Sequence, residues 1–399
     1  MLVDSLLDAN FPFVNKIIAY ADDLVLCTWH YDPEIARLNL QSMIDHAISW
    51  GAKVKLSFNA AKTVYMFFSR RRRYQPDLLL PIHVNNTPIN PSSSCTYLGL
   101  IIDTKLNWRE HVTKKCTSIK RLLFMVNKCC RLTWGLSREC LTTIYKSICL
   151  PKLLYGCIVW GGAARHKWCT KLLRATQRPL IIAISRSFKT NSTPSALILS
   201  NVPPLDYVIK ERIGLKLLLH GDFPIAPSPS AVATNIVLSI RNLTPSQNCS
   251  YVNFCRNALK AKLTLDWNNE WVTSTSIAPL TRLFFPTVAH SAVLASRRLT
   301  AATAQILSGH SVLNGYLAKI GKRASTLCDC KIEDETVPHF LFHCSLHHAS
   351  RAAFKRQCLS LNPTWPPELS LIPQNNALWN EMINFVTVSK RFNAHIKTN

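Results

Sequence analysis

The sequence has 399 residues, 48% of them apolar, enough for a buried core and for two or three modest domains. Lysine and arginine number 47 against 22 aspartate and glutamate, a formal charge of +25, which points to a polyanionic partner or, more plainly, to a solubilising surface. No run of 18 apolar residues occurs, and Asp4 and Asp8 interrupt the first apolar stretch; this argues against a transmembrane helix and a secretion signal, so the 15 cysteines read as reduced thiols of the nucleus or cytoplasm.

Ile17–Ala19 and Leu24–Thr28 are short apolar runs flanking Tyr20-Ala21-Asp22-Asp23, the pattern of a β-hairpin. Pro33–Ile48 has helical periodicity, with Ala36, Leu40, Met43, Ile44 and Ala47 on one side, and Leu56–Ser69 returns to strand character. The Arg70–Arg73 run is either a solvated loop or a nuclear-localisation or nucleic-acid contact. From Val112 to Phe188 the pattern is helical. Val112, Cys116, Ile119, Leu123, Val126 and Cys130 form an apolar stripe, while Lys114, Arg121 and Lys128 recur every seven residues on another face. Lys167, Lys171, Arg174 and Arg178 make a second basic set. Both sets suit a phosphate backbone, or are ordinary exposed helix faces. Residues 201–265, rich in Pro, Ser and Asn, read as a linker, and helices follow at Leu265–Val272 and within Leu294–Ile320.

Two constellations carry chemistry. Adjacent aspartates at a hairpin tip raise each other's pKa unless a cation neutralises them, and magnesium prefers such oxygens. Two magnesium ions about 4 Å apart can activate a primer 3′-hydroxyl and stabilise leaving pyrophosphate. Turns favour Asp in any case, so the pair alone is weak evidence. The second constellation is Cys328-x-Cys330, His339 and Cys344: three thiolates and one imidazole, the set of a closed tetrahedral zinc site. Its C-x-C spacing is tighter than the usual C-x2-C. His343 is a rival ligand, and free buried thiols are the alternative. The segment has little apolar core of its own, so metal is expected to decide whether residues 307–357 fold.

Ala19-Tyr20-Ala21-Asp22-Asp23-Leu24-Val25-Leu26 resembles the catalytic hairpin of reverse transcriptases. Further matches follow in family order. Leu56–Thr63, with Asn59 and Lys62, looks like the palm segment beside the incoming nucleotide. Tyr97-Leu98-Gly99-Leu100 with Asp103, Leu106, Trp108 and His111 resembles the primer grip. Leu153-Leu154-Tyr155-Gly156 with Trp160, then Gln177-Arg178, Thr190–Thr193, Ala196-Leu197 and Pro204-Leu205, resemble the segment after the thumb. Trp267, Asn268, Trp271 and Phe285-Pro286, then Leu307–His310 with Tyr316-Leu317, resemble the lead-in to a C-terminal zinc knuckle, except that Lys331 stands where relatives usually carry Gly. The chain thus resembles reverse transcriptases of jockey-like and type-1 non-LTR retrotransposable elements, over about residues 13–215 and again near 264–357.

The resemblance implies an α+β fold: a truncated right-hand palm with catalytic hairpin and primer grip over residues 1–110, and a helical thumb and connection over 111–200. A linker over 201–265 replaces any ribonuclease H domain, a helical lead-in and zinc knuckle occupy 266–357, and 358–399 form a tail. It implies RNA-directed DNA synthesis from a nicked target, with Asp22 and Asp23 holding magnesium, Tyr20 and Lys62 beside them, an RNA template, a DNA target and no membrane. The family carries a third metal-binding aspartate on a strand ahead of the hairpin, where only Met1–Asn15 stand here. The expectation is therefore a fragment with little or no polymerase activity alone. A non-catalytic nucleic-acid-binding remnant is the other reading.

Overall fold

The chain folds, in a computed structural model that describes residues 4–69, 80–130, 135–220, 251–361 and 363–392, as two compact units, Met1–His111 and Val112–Asn399. The Arg70–Arg73 run and the centre of the expected linker lie outside the described residues.

In the first unit six strands form three antiparallel hairpins. Strands β1 (Asn15–Tyr20) and β2 (Asp23–Thr28) pair from Asn15↔Thr28 to Tyr20↔Asp23. Strands β3 (Ile82–Val84) and β4 (Thr87–Ile89) form the second hairpin, and β5 (Ser94–Tyr97) and β6 (Leu100–Asp103) the third. Each hairpin closes through two residues: Ala21-Asp22, Asn85-Asn86 and Leu98-Gly99. Positive φ occurs at Ala21, at both asparagines, and at Leu98 and Gly99, as tight hairpin turns require. Such local closure makes three separate two-stranded sheets of the described strands rather than one palm sheet.

The Pro33–Lys53 helix starts where the Asp32 carboxylate accepts from the N–H groups of Glu34 and Ile35, and it buries Ala36, Met43, Ile44, Ala47 and Gly51. Ile44 joins Tyr65, Ile82 and Val84 in the unit's core. The Gln41 amide meets both backbone groups of His83, donating to its carbonyl at 2.9 Å and accepting from its N–H at 2.7 Å, so a helix side chain serves β3 as a strand partner. Leu56–Ser69 does not form the expected strand. The Asn59 side chain accepts from the Ala61 N–H and caps a single 3₁₀ turn, Ala60–Lys62, after which only Tyr65 bridges to Pro91.

The second unit is helical. Val112, Cys116, Ile119 and Leu123 are buried along the Arg109–Lys128 helix, while Val126 and Cys130 of the expected stripe are half-buried. Beyond it, Leu141, Tyr145, Cys149, Leu153, Cys157 and Trp160 line the core side of a helical stretch that bends by 60° between Leu154 and Cys157, where Gly156 takes φ +64°. No single described helix is long and apolar enough to cross a membrane; that bent pair passes on composition because it is core. The Lys167–Ser185 helix packs against Thr193–Ser200 and Leu205–His220.

Two expectations change here. Residues 201–265 are helical at both described ends, because Leu217 and Leu218 of Leu205–His220 pack on Cys255 and Leu259 of the Tyr251–Thr273 helix. Residues 358–392 are no tail either. His348–Leu361 packs against Asn376–Val388, and Phe385 stacks on Phe340 (5.0 Å between ring centroids) and on Phe354 (6.4 Å), with Trp379 and Phe392 also buried. The knuckle therefore rests on an aromatic core supplied largely from beyond it, and the Glu335–Arg391 ion pair ties the two together.

Candidate functional site

Four ligand atoms converge in the second unit. The Sγ atoms of Cys328, Cys330 and Cys344 and a ring nitrogen of His339 all lie within 4.8 Å of one another, and among the described residues this is the one group of three or more Cys, His, Asp or Glu placed to hold a metal. His339, not His343, completes it. The sequence achieves this by local turns: Lys331 N–H closes back on the Cys328 carbonyl at 2.8 Å, and His339 and Cys344 flank one turn of helix, with the Cys344 N–H bonded to the His339 carbonyl at 2.8 Å. Lys331 takes φ +61°, a left-handed conformation that a side chain disfavours and glycine accepts.

Two of the spacings match edges of a tetrahedral zinc site. With zinc–sulfur bonds of about 2.3 Å, a tetrahedron has sulfur–sulfur edges of about 3.8 Å; the Sγ atoms of Cys328 and Cys344 are 3.7 Å apart, and Cys330 Sγ is 3.3 Å from His339 Nε2. The other ring nitrogen, Nδ1, is 3.0 Å from the Glu333 carboxylate, which orients the ring and leaves Nε2 as the ligand atom. Burial pushes the pKa of the Cys328 thiol up to about 12. Burial also raises that of Cys330, but the N–H groups of Ile332 and Glu333, with Cys328 and His339, hold it at about 7. Arg351, buried beneath, donates to the carbonyls of Cys344 (2.7 Å) and Phe340 (3.1 Å) and fixes the last ligand's backbone. Glu333 and Arg351 were not singled out in the sequence; a Glu six residues before a ligand His was the available signal.

The carboxylate hairpin is a different kind of site. Asp22 and Asp23 are exposed at its tip beside Tyr20, which is 63% exposed, and no third carboxylate among the described residues joins them within metal-binding reach. Lys62 is exposed at the end of its 3₁₀ turn. The primer-grip-like residues lock their own neighbourhood: Asp103 accepts from the N–H groups of Lys105, Asn107 and Trp108, and His111 Nδ1 accepts from the Ile101 N–H at 3.1 Å.

The two basic helix faces also divide. Lys114, Arg121 and Lys128 are exposed, as are Lys167 and Lys171. Arg174 is held between two carboxylates, Asp206 (2.8 Å) and Glu270, and so is committed within the fold. Arg178 donates to Thr193 Oγ1 (2.7 Å) and to the carbonyls of Lys189 (2.7 Å) and Asn191 (2.6 Å), fastening the loop ahead of the Thr193–Ser200 helix. Of the expected stripe of four, two lysines are left facing water.

The chain is 24% identical over 347 residues, 87% of its length, to the "Putative 115 kDa protein in type-1 retrotransposable element R1DM" of Drosophila melanogaster, of which it spans only about a third (32%). Over 340 residues it is 24% identical to the "Retrovirus-related Pol polyprotein from type-1 retrotransposable element R1 4" of Nasonia vitripennis, covering 82% of each chain. Over 149 residues, 37% of this chain and 16% of the relative, it is 30% identical to the "RNA-directed DNA polymerase from mobile element jockey" of Drosophila funebris. No protein-family model and no solved structure matches it.

Proposed function

We propose that this chain, a relative of the Pol polyproteins of type-1 and jockey-like non-LTR retrotransposons, serves RNA-directed DNA synthesis in the nucleus and cytoplasm by holding an RNA template and a DNA target, and does not extend a primer alone. The observation that carries this is the hairpin: Asp22 and Asp23 stand exposed at a tight turn with no third carboxylate near them among the described residues. Magnesium bound there would supply Lewis-acid activation of a 3′-hydroxyl, but two carboxylates are too few to hold the two ions of that chemistry in catalytic geometry. In this reading the first unit is part of a palm and the Arg109–Lys128 helix part of a thumb, with Tyr20 and Lys62 flanking the reacting ends. The exposed lysines and arginine of the two basic faces follow phosphates, and Cys328, Cys330, His339 and Cys344 hold a structural zinc.

Primer extension on an RNA template with a DNA primer and magnesium tests it. Residues 1–399 should bind the template–primer and add no nucleotides. Extension abolished by Asp22→Asn would overturn the inactivity, and absence of any binding would overturn the whole reading. The assembled Cys/His centre favours a second reading, a non-catalytic binding module, which the same assay separates if binding survives Asp22→Asn and Asp23→Asn unchanged.

A further inference from the structure

The outward face of the Arg109–Lys128 helix carries cations with little to balance them. Glu110, in the first turn, is the helix's one acid, while Lys114, Lys120, Arg121 and Lys128 are exposed. None of Lys120, Arg121 and Lys128 has a carboxylate partner among the described residues. From Lys114 to Lys128 the face runs about 21 Å at 1.5 Å per residue.

An aromatic ring stands within this face. Thr117, Lys120, Phe124 and Lys128 follow at steps of three and four residues, so they form one exposed row along the helix, with Arg121 beside it. Phe124 is 64% exposed and its neighbour Met125 66%. A lone exposed apolar side chain is ordinary on a protein surface, so exposure by itself says little. The placement says more, because this phenyl lies between two lysines of a face without acids. The Lys128 ammonium sits over the ring, 5.0 Å from its centroid. That contact steadies the ring from one side, and the exposure of Phe124 with the ammonium in place leaves ring surface for a second flat group.

A partner matched to this face is anionic along its length and presents flat apolar groups between its charges. A lipid surface fits poorly, because the helix's apolar stripe of Cys116, Ile119 and Leu123 is buried in the fold and not free to enter a bilayer. A nucleic-acid duplex presents phosphates but keeps its bases stacked inside. A single strand offers both phosphates and base faces, and an aromatic side chain in a cationic groove is how such strands are held without sequence preference. We propose that the outward face of the Arg109–Lys128 helix holds a single-stranded nucleic acid, with one base stacked on Phe124 and the flanking phosphates beside Lys120, Arg121 and Lys128. This rests on the reading of the chain as a nucleic-acid-handling protein and names the form of strand and the residue that grips a base.

The test uses the full chain and fluorescence anisotropy with labelled dT12 and a labelled abasic dodecamer of equal charge. The unmodified chain should bind dT12 about fivefold tighter or more, the lower end of one base–aromatic stack. Phe124→Ala, at an exposed position, should remove most of that preference while leaving abasic binding within about twofold and the melting temperature unchanged. Phe124→Tyr should keep the preference, and Lys120→Gln with Lys128→Gln should weaken both oligomers. Equal affinity of the unmodified chain for dT12 and the abasic strand overturns the stacking proposal, and this comparison needs no variant to fold. So does a Phe124→Ala protein that keeps the full preference, whether or not it also releases the chain from phosphatidylserine vesicles. Binding of neither oligomer overturns the nucleic-acid reading itself and the stacking site with it.

Discussion

The carboxylate hairpin and the Cys/His cluster are two candidate sites among the described residues, and they differ in completeness. The hairpin is made by a tight turn that needs only its own two strands, and the turn leaves Asp22 and Asp23 exposed with no third ligand among the described residues. The knuckle gathers all four ligand atoms within 4.8 Å, backs His339 with Glu333 and rests on rings contributed from Phe340 to Phe392. A turn can position side chains without finishing a site. Completion takes groups brought together by packing, and here only the second centre has that packing behind it.

The largest expected effect that would break this contrast is at the knuckle. Cys344→Ser should abolish stoichiometric zinc, and chelation should disorder the ligand loop from Cys328 to Cys344. The stacked pair Phe354–Phe385 should persist, because that aromatic core does not contain the metal ligands. Hydrogen exchange checks this: protection should vanish across the loop and survive in Asn376–Val388. Zinc in finger-like peptides is worth on the order of 10–16 kcal/mol, most of it expressed as folding, and here the core carries part of that task.

Next comes Arg174. Replacing it with Met leaves Asp206, only 5% exposed, and Glu270 without their cation, and should destabilise the second unit by about 3 kcal/mol, the low end for a broken buried pair because Glu270 is one-third exposed. Thermal melting measures it. By contrast, changing Lys167 and Lys171 to Gln should leave the melting temperature in place and flatten the dependence of log K on log salt, by up to about 0.9 per lost duplex-phosphate contact or about 0.7 on a single strand. If Arg174→Met changes the salt slope and not the melting temperature, the division of that helix face into structural and nucleic-acid-facing residues is wrong. The smallest effect is Lys331→Gly, which relieves a left-handed residue and should stabilise the knuckle by about 1 kcal/mol in denaturant titration.

What could be read from the sequence follows the same line. The hairpin was legible because apolar runs on both sides of Tyr20–Asp23 fix its register locally. The burial of Ala36, Met43, Ile44 and Ala47, and of Val112, Cys116, Ile119 and Leu123, was legible from helical spacing. The four knuckle residues were visible as a donor set, yet the choice of His339 over His343 needed the turn that brings its Nε2 to Cys330. Glu333, Arg351 and the partners of Arg174 were not visible, since each depends on a contact between elements whose mutual placement no periodicity encodes. The helices at 205–220 and 251–265 were hidden by the proline- and serine-rich stretch between them. Leu378, Trp379, Met382, Phe385 and Val386 had helical spacing, but read without a partner surface they gave no sign that they close the knuckle's core.

Native mass spectrometry of the purified 399-residue chain, measured beside its His339→Ala and His343→Ala variants, tests the central contrast most directly. One zinc per unmodified chain is expected, retained by His343→Ala and lost or sharply weakened in His339→Ala, with no magnesium held at the hairpin. A chain without zinc, or one that loses it through His343→Ala and keeps it through His339→Ala, would contradict it.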